Sequence, residues 1–382
     1  MVYVTVKMPP MYRQMSIEEL LFGNSDSPAV INDNTANTRT DVYDRLSPRI
    51  QSLVNVDRLI ARLVEFNKAT AHLRSCDRAS LYRTFHIPKS SGHGFRRIDA
   101  PNDELMEALR TLKNIFETDF NALYHTSAFA YIKHRCTVDA VKRHQANKSK
   151  WFGKFDLSNF FGNTTMEFVM NQFSMIFPFS EVVKVPRGRQ ELETALELAF
   201  LNGGLPQGTP ISPTITNIMM IPVDYKLANG FRNFGKQSFV YTRYADDFIV
   251  SSQFDFNCAE VQKFIVSTLK SFNAPFTLNP EKTRYGSSSG KNFNLGVVLT
   301  RDNRITVGHR KKRQFQAMLS SFVLDTQHGN PWSLEDVQVL DGLRNYYRMV
   351  EGETIDNIIK HIGNKYQVDI VDMIKIQLRG AQ

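Results

Sequence analysis

The chain has 382 residues, and its 47 Lys and Arg residues outnumber its 38 Asp and Glu residues, which gives a net charge of +9. The 42% hydrophobic and 22% charged content is typical of a folded soluble protein and excludes a disordered or fibrous chain. No stretch approaches the ~20 apolar residues of a membrane helix, and no secretion signal begins the chain. Because Cys76, Cys136 and Cys258 show no metal-ligand or disulfide spacing, we expect a cytoplasmic protein without a membrane partner.

The first third of the chain is predicted to be a polar segment followed by helices and one pair of strands. Residues 23–48 are rich in Asn, Asp, Ser and Thr and lack an apolar period, which indicates a loop or linker. An amphipathic helix is predicted from Val56 onward. Residues 87–94 read as a turn between two short strands, of which the second covers residues 95–100. Another helix is predicted after Pro101.

The middle of the chain contains three strand-like runs that adjoin acidic residues. The aromatic and apolar run 151–157 contains Asp156 close to its end. The runs 239–244 and 248–252 are separated only by the sequence Ala-Asp-Asp at 245–247, which predicts a hairpin with two carboxylates at its tip.

These acids have two interpretations. An Asp-Asp pair is common in an ordinary solvated turn, where aspartate bonds the local backbone. Here the flanking strands are apolar, and Asp156 supplies a third carboxylate at a strand end. Mg²⁺ prefers carboxylate oxygens together with substrate phosphates, and two such ions can assist phosphoryl transfer. The acids therefore predict a two-metal site.

A second segment with a chemical signature runs from Leu205 to Pro213 and reads Leu-Pro-Gln-Gly-Thr-Pro-Ile-Ser-Pro. It opens into an apolar helix predicted over residues 214–220. The exposed amides of a helix N-terminus can face an anionic ligand. An ordinary loop before a helix that starts with proline is the alternative.

The last third is predicted to be helical, with Ser333 capping one helix and Thr354 capping the next. Basic residues lie in clusters before and within this region. One cluster alone is typical of a solvated face, but three clusters favour contact with a nucleic-acid backbone. They comprise Arg96 and Arg97; Lys142, Arg143, His144, Lys148, Lys150 and Lys154; and His309, Arg310, Lys311, Lys312 and Arg313.

Taken together, the motifs resemble those of bacterial reverse transcriptases and occur in that family's order over about residues 80–350. The sequence Tyr-Ala-Asp-Asp at 244–247 resembles the metal-binding box, and Leu205–Pro213 resembles the nucleotide-pocket box. The remaining matches are the first aspartate motif at 155–161, the fingers motif at 87–102, the two palm-closing motifs at 278–283 and 294–296, and the thumb motif at 340–346.

The resemblance implies an α+β right-hand polymerase with fingers, a palm whose antiparallel sheet packs on helices, and a helical thumb. The expected organisation begins with an N-terminal extension at 1–50 that holds the polar loop. Fingers at 51–150 and a palm at 151–308 follow, with a fingers insertion near 165–205. The thumb occupies 309–382.

The resemblance also assigns roles to single residues. Asp156, Asp246 and Asp247 would be catalytic and, with Leu157, would hold two Mg²⁺ ions, for which Mn²⁺ could substitute. Lys89 and Arg96 would reach the triphosphate of a deoxynucleotide, with Arg97 as an alternative to Arg96. Phe161 would exclude a ribose 2′-hydroxyl, Gln207 and Gly208 would line the nucleotide, and Lys282 would either protonate the pyrophosphate or be merely solvated.

The nucleic-acid partners follow from the same resemblance. They are a template RNA, expected to be a structured non-coding RNA, and the RNA–DNA hybrid product; self-association is left open. The residues expected to contact nucleic acid are Arg97, Lys142, Arg143, Arg310, Lys311, Lys312 and Arg313, and His144 is expected to touch the template or cap a helix.

The branch of the family is inferred by elimination. The Asn-Ala-x-x-His and Val-Thr-Gly boxes of retron enzymes are missing from residues 177–200 and 293–297, and little chain follows the thumb motif for a maturase or endonuclease domain. The chain then resembles defence-associated, anti-phage reverse transcriptases. The alternatives are a retron-type enzyme, an RNA-dependent RNA polymerase, which the bulky Phe161 disfavours, and a catalytically silent RNA-binding scaffold, which the intact acids disfavour.

Overall fold

A computed structural model describes residues 56–88, 94–117, 124–235, 237–288 and 293–379. The expected N-terminal extension with its polar segment, and Lys89, lie outside these ranges. The described chain combines helices with antiparallel sheets, as expected for an α+β protein. None of the described helices is long and apolar enough to span a membrane.

The N-terminal helices and hairpin agree with the predicted pattern. Helix α1 buries Leu59 and Leu63 on one face, as its apolar period predicts. Strands β1 and β2 pair in antiparallel register from Tyr82 opposite Pro101 to Pro88 opposite Phe95. These elements are α1 (Val56–Ala69), α2 (Ala71–Ser75), a 3-10 turn (Arg78–Leu81), β1 (Tyr82–Pro88), β2 (Phe95–Pro101) and α3 (Asp103–Glu117).

A four-stranded antiparallel sheet forms the centre of the fold, with strand order β4-β5-β3-β6. Successive side chains along each strand point to opposite faces of the sheet. At one end of the sheet Asp247 pairs with Asp156 on one side and with Tyr244 on the other. The strands are β3 (Trp151–Asp156), β4 (Phe239–Tyr244), β5 (Asp247–Ser252) and β6 (Arg284–Ser287).

Both faces of this sheet are covered. One face packs on a single apolar core that contains residues from Leu59 to Leu278, so the N-terminal helices and the sheet share it. The other face is partly covered where Phe152 and Ile249 meet Val141. The helices before the C-terminal region are α4 (Thr137–Ala146), α5 (Met166–Phe173), α6 (Phe179–Lys184), α7 (Pro186–Glu197), α8 (Ser212–Met219), α9 (Ile221–Arg232) and α10 (Cys258–Ser271).

The C-terminal region has a separate core formed by residues Val307 to Ile374. A small antiparallel sheet precedes it, and Val297 and Leu299 of that sheet cover the central sheet. Its elements are β7 (Phe293–Asn294), β8 (Val297–Leu299), β9 (Ile305–Thr306), α11 (His309–Gln327), α12 (Leu334–Tyr366) and α13 (Ile370–Arg379).

Helix α12 confirms one predicted cap and corrects another. Ser333 caps it, since its hydroxyl accepts a hydrogen bond from the Asp336 amide at 3.1 Å. The second predicted helix is present as the C-terminal part of α12, but it begins after a break at Glu351, where φ is −149° and ψ is 64°, and not at Thr354. Glu351 leaves the helical conformation to accept hydrogen bonds from the Thr306 hydroxyl at 2.8 Å and the Val307 amide at 3.0 Å.

A buried ion pair ties the central sheet to α9. Arg243 of β4 and Asp224 of α9 are 1% and 0% exposed, and two of the closest N–O distances are 2.8 and 2.9 Å. The Tyr241 hydroxyl donates to the same carboxylate at 2.8 Å. The guanidinium also donates to the side-chain oxygen of Asn217 and to the carbonyl of Ala245. Because each charge has a partner at bonding distance, the pair can exist inside an apolar core.

Replacing Arg243 with methionine is expected to destabilise the fold by about 3–5 kcal/mol, because Asp224 would be left as an unpaired buried charge. Urea unfolding followed by circular dichroism measures this free energy. The double variant Arg243→Met with Asp224→Leu removes both charges and should recover a large part of the loss. A single-variant loss below about 1 kcal/mol would contradict the importance of this pair.

Candidate active site

The turn between β4 and β5 carries the acidic pair, but with a tighter geometry than the sequence predicts. Tyr244 pairs directly with Asp247, so only Ala245 and Asp246 form the turn and Asp247 is the first residue of β5. Ala245 has a left-handed φ of 55°. Its carbonyl accepts a hydrogen bond of 3.3 Å from the buried Arg243 guanidinium. The ion pair beneath the sheet thus holds the turn from inside.

The three predicted carboxylates meet at this end of the sheet. Asp156 lies opposite Asp247 in the β3–β5 register, and the Leu157 amide donates to the Asp246 carbonyl at 3.0 Å. Partial burial is the main cause that raises the pKa of Asp246 to about 6, and the nearby charges of Asp247 and Asp156 add to it. Burial also raises the pKa of Asp247, although Lys154 opposes this shift. Mutual repulsion of this kind is relieved when a cation binds.

Two lysines form ion pairs with two of these carboxylates. Lys282 lies 2.8 and 3.0 Å from the two oxygens of Asp156. Lys154 lies 2.9 Å from Asp247. Across the described ranges, no group of three or more His, Cys, Asp or Glu side chains is arranged to hold a metal ion. The donor chemistry still suits divalent cations, because the three carboxylates occupy neighbouring positions at one end of the sheet and Asp246 forms no ion pair with the described lysines and arginines.

Leu157 can contribute to such a site only through its backbone carbonyl, because its side chain is apolar and 1% exposed. Its amide bonds the Asp246 carbonyl, and the adjacent Asp156 carbonyl accepts from the Asn279 amide at 2.8 Å. The backbone that carries the first aspartate is therefore fixed on both sides.

The predicted nucleotide loop, Leu205–Pro213, lies against both the first aspartate segment and the N-terminal hairpin. The Leu205 amide donates to the Phe161 carbonyl at 2.9 Å, and the Gln207 carbonyl accepts from the Asp99 amide at 2.8 Å. Gly208 has a φ of +118°, and a Cβ there would lie 2.9 Å from the Ile98 side chain. The loop thus requires glycine for its conformation and for its close approach to β2.

The alternation of side chains along β2 places Arg96 and Arg97, the two alternatives for contact with the triphosphate, on opposite faces of the strand. Arg96 lies on the same face of β2 as Ile98, the face that meets Gly208. Arg97 lies on the opposite face and forms an ion pair of 2.9 Å with Asp99. Arg96 is therefore the arginine on the side of the nucleotide loop.

Phe161 is partly buried beside this loop. Its ring packs edge to face on Phe160 with centroids 5.6 Å apart, and it borders the main core. Its carbonyl also accepts the hydrogen bond from Leu205. The ring is thus held at the junction of the aspartate segment and the nucleotide loop.

The basic residues fall into exposed and paired groups. Lys142 and Arg143 are exposed on α4, where Lys142 lies 3.5 Å from Asp139 and Arg143 donates to the Thr126 carbonyl at 3.4 Å. His144 is completely buried and hydrogen bonds Ser251 at 2.6 Å and Thr242 at 2.8 Å, and burial lowers its pKa to about 3. The expectation that His144 touches the template or caps a helix is therefore wrong, because its neutral ring joins α4 to the sheet.

The basic run at the start of α11 divides in the same way. Arg310 and Arg313 are exposed. Lys311 donates to the Gly296 carbonyl at 2.6 Å, and Lys312 lies 3.1 Å from Glu351. The arginines thus point to solvent, whereas both lysines bind the adjoining protein.

Arg243 has no role in the sequence predictions, and Lys154 enters them only as a member of a basic cluster. Arg243 could have been noticed as a charged residue within a strand predicted to be buried, immediately before the acidic box. Lys154 could have been noticed because it precedes Asp156 by two residues, which places both side chains on one face of β3. The partner of Arg243, Asp224, carries no such signal.

Comparison with protein families identifies the class. Residues 87–314 match the family described as reverse transcriptase (RNA-dependent DNA polymerase). This region is more than half of the chain, and the protein belongs to that family. The fold is accordingly the α+β polymerase fold, and the expected RNA-directed DNA polymerase activity is confirmed in preference to an RNA-dependent RNA polymerase.

Two curated relatives with similar sequences are retron enzymes. The Retron Ec83 reverse transcriptase of Escherichia coli is 27% identical over 295 residues, which cover 75% of this chain and 88% of the relative. The Retron Ec73 reverse transcriptase of Escherichia coli is 28% identical over 265 residues, with coverages of 66% and 80%. The chain is therefore similar in sequence to these retron enzymes, although it lacks the Asn-Ala-x-x-His and Val-Thr-Gly boxes.

One solved structure with a similar chain is the telomerase from Candida albicans in complex with a TWJ fragment of telomeric RNA. Its TM-score is 0.45 at 14% identity, and the alignment covers 77% of this chain and 58% of the telomerase chain.

Gly208→Ala is expected to raise the KM for deoxynucleotides about tenfold, because the new Cβ forces the nucleotide loop away from β2. Steady-state primer extension on an RNA template measures this effect. Gly203→Ala is the matched control, since Gly203 also has a positive φ of +81° but has nothing within 4 Å of its added Cβ. Equal KM values for both variants would show that contact with β2 is unimportant.

Proposed function

We propose that this reverse transcriptase performs nucleotidyl transfer at Asp156, Asp246 and Asp247, with two Mg²⁺ ions as cofactors. The observation that carries the proposal is the convergence of the three carboxylates at one end of the central sheet. When bound, the ions would lower the pKa of the attacking primer hydroxyl and stabilise negative charge on the leaving pyrophosphate. Mn²⁺ would substitute because it also accepts carboxylate oxygens.

The protein's own contribution is to position the substrates. Asp156 and Asp247 are fixed by strand register, and Asp246 by the turn that Arg243 supports. The Leu157 carbonyl adds a neutral oxygen ligand. Fixed charges of this kind need no rearrangement as the reaction proceeds, which is the main source of catalysis in phosphoryl transfer.

The incoming deoxynucleotide would bind between the nucleotide loop and the N-terminal hairpin. Gln207 and Gly208 would line its base and sugar, and Arg96 would reach the triphosphate together with Lys89. Phe161 would lie under the sugar and exclude a 2′-hydroxyl by collision. The support is the contact of the Leu205–Pro213 loop with Phe161 on one side and with β2 on the other.

Lys282 would face the pyrophosphate and donate its proton to it. Partial burial lowers the pKa of Lys282, but the hydrogen bond to Asp156 and the charges of Asp246 and Asp247 outweigh this and raise it above its usual value. The ammonium therefore stays protonated near the acids, as a proton donor must before the reaction.

The template–primer duplex would be gripped by exposed basic residues, since A-form duplexes are recognised mainly through their backbone. The C-terminal core supports a thumb at 309–382, and the central sheet supports a palm at 151–308 with a fingers insertion near 165–205. Fingers would occupy 51–150, after the 1–50 extension. The contacts would come from Arg97, Lys142, Arg143, Arg310 and Arg313, with Lys311 and Lys312 exchanging their protein partners for phosphate.

The biological substrate would be a structured non-coding RNA, copied into a DNA that remains as an RNA–DNA hybrid, in the cytoplasm and in defence against phage. Similarity to retron reverse transcriptases favours a second candidate, a retron-type enzyme with its own RNA template. A catalytically silent RNA-binding scaffold is disfavoured because all three acids are present and adjacent.

Asp246→Asn is expected to lower the rate of DNA synthesis about a thousandfold or more while leaving RNA binding and the circular dichroism spectrum unchanged, because a charge needed for ion binding is lost from a preformed site. Primer extension with Mg²⁺ measures the rate. Asp302→Asn removes an acid that is 72% exposed and should retain full activity. Substantial synthesis by Asp246→Asn would reject the two-metal proposal.

Phe161→Ala is expected to raise ribonucleotide incorporation relative to deoxynucleotide incorporation about ten- to a hundredfold, since the collision with the 2′-hydroxyl would be removed. Competing ribo- and deoxynucleotides on one template measures the ratio. Phe161→Tyr keeps the ring and should keep the discrimination. An unchanged ratio in the alanine variant would remove the sugar-selecting role from Phe161.

The nature of the template is tested by purifying the protein from cells with its native flanking locus. Sequencing the bound RNA and adding labelled deoxynucleotides with Mg²⁺ should reveal one discrete RNA and DNA complementary to it. Bound RNA that neither the wild type nor Asp246→Asn copies would favour the scaffold.

A further inference from the structure

Lys154 is a charged residue on the catalytic face of the central sheet for which the proposed reaction has no use. It precedes Asp156 by two residues on β3, so both side chains lie on the same face. Its ammonium nitrogen lies 2.9 Å from Asp247. Its side chain is 32% exposed and that of Asp247 is 22% exposed, so water screens this pair less than it screens a surface pair.

The lysine cannot move away together with its backbone. β3 is bonded on both sides, to β5 and to β6, and Lys154 itself pairs with Ile249 and Arg284. Only rotation of its side chain can separate it from Asp247. Lys282, by contrast, follows a loop and is 57% exposed, so its contact with Asp156 is easier to release.

Arg284 does not take over the role of Lys154. Although it is the cross-strand neighbour, its guanidinium donates to the carbonyls of Glu281 at 2.5 Å and Thr283 at 2.9 Å. In the part of the chain that the structure describes, Asp247 has Lys154 as its ion-pair partner and Asp246 has none. The positive charge beside Asp247 therefore comes from Lys154.

We infer that Lys154 is a resident counter-cation, which holds Asp247 in the ion-free enzyme and competes with divalent ions for that carboxylate. This inference rests on the proposed function, because it requires the acids to bind divalent ions. Lys154 is thus a positioning residue that sets the ion concentration at which the site fills. A fixed positive charge a few ångströms from a divalent ion weakens binding of that ion, whereas an unpaired Asp247 would strengthen it.

The test is Mn²⁺ binding to the full-length protein, measured by electron paramagnetic resonance without nucleotide or nucleic acid. Lys154→Met is expected to tighten Mn²⁺ binding about five- to tenfold, because the competing charge is removed. Lys154→Arg keeps the charge and should stay within about twofold of the wild type. Lys150→Met changes the net charge equally, but at the residue before β3, at the other end of that strand from Asp156, and should not alter the affinity.

Thermal unfolding in EDTA and in Mn²⁺ gives a second readout. Lys154→Met should melt at a lower temperature than the wild type in EDTA, since Asp247 loses its partner, and should show a larger rise in Tm when Mn²⁺ is added. Lys154→Gln, which retains a hydrogen-bond donor without charge, provides the same comparison if the methionine variant folds poorly. Circular dichroism verifies the fold of each variant.

Three results would overturn the proposed role of Lys154. Unchanged or weaker Mn²⁺ affinity in both neutral variants would overturn the role of Lys154. Equal tightening in Lys150→Met would also overturn it, because net charge alone would then explain the effect. If Asp246→Asn retained wild-type Mn²⁺ binding, the ions would bind elsewhere and the proposed metal centre would fail together with this inference.

Discussion

The pairing of Asp156 with Asp247 across β3 and β5 determines where the rest of the catalytic site must lie. A shift of one residue would turn one of these carboxylates to the opposite face, because side chains alternate along a strand. The shift is prevented by the apolar residues on the buried face and by Arg243, whose guanidinium bonds Asp224 in the core and Ala245 at the turn. A buried ion pair is costly unless it is complete, so it also specifies one arrangement of the turn.

This arrangement brings like charges together, and the protein compensates for them locally. Lys282 and Lys154 neutralise Asp156 and Asp247, while the pKa of Asp246 is raised to about 6 by burial and by its acidic neighbours. Under the proposed function, the site would exchange cations: lysine ammonium groups when ions are absent, and divalent ions when substrate phosphates arrive. The nucleotide loop closes one side of this site.

Much of the fold was predictable because local patterns decide it. The apolar period of α1, the aromatic and apolar run of β3 and the short connection between β4 and β5 were each sufficient to predict the element. Motif order likewise predicted the family before the fold was known. The assignments of single residues to metal, nucleotide and nucleic acid remain predictions, which the variants described above address.

Other features depend on contacts between distant residues and had no local signal. His144 lies within a basic cluster in sequence, yet contacts with Ser251 and Thr242 bury it. The break in α12 falls at Glu351 because that carboxylate bonds the segment before α11.

The most direct test of the proposed catalytic site is a structure with an RNA–DNA duplex, Mg²⁺ and a non-hydrolysable deoxynucleotide. We expect two ions among Asp156, Asp246 and Asp247, with the triphosphate beside the Gly208 loop; a nucleotide bound elsewhere, or ions without these ligands, would contradict the proposed site.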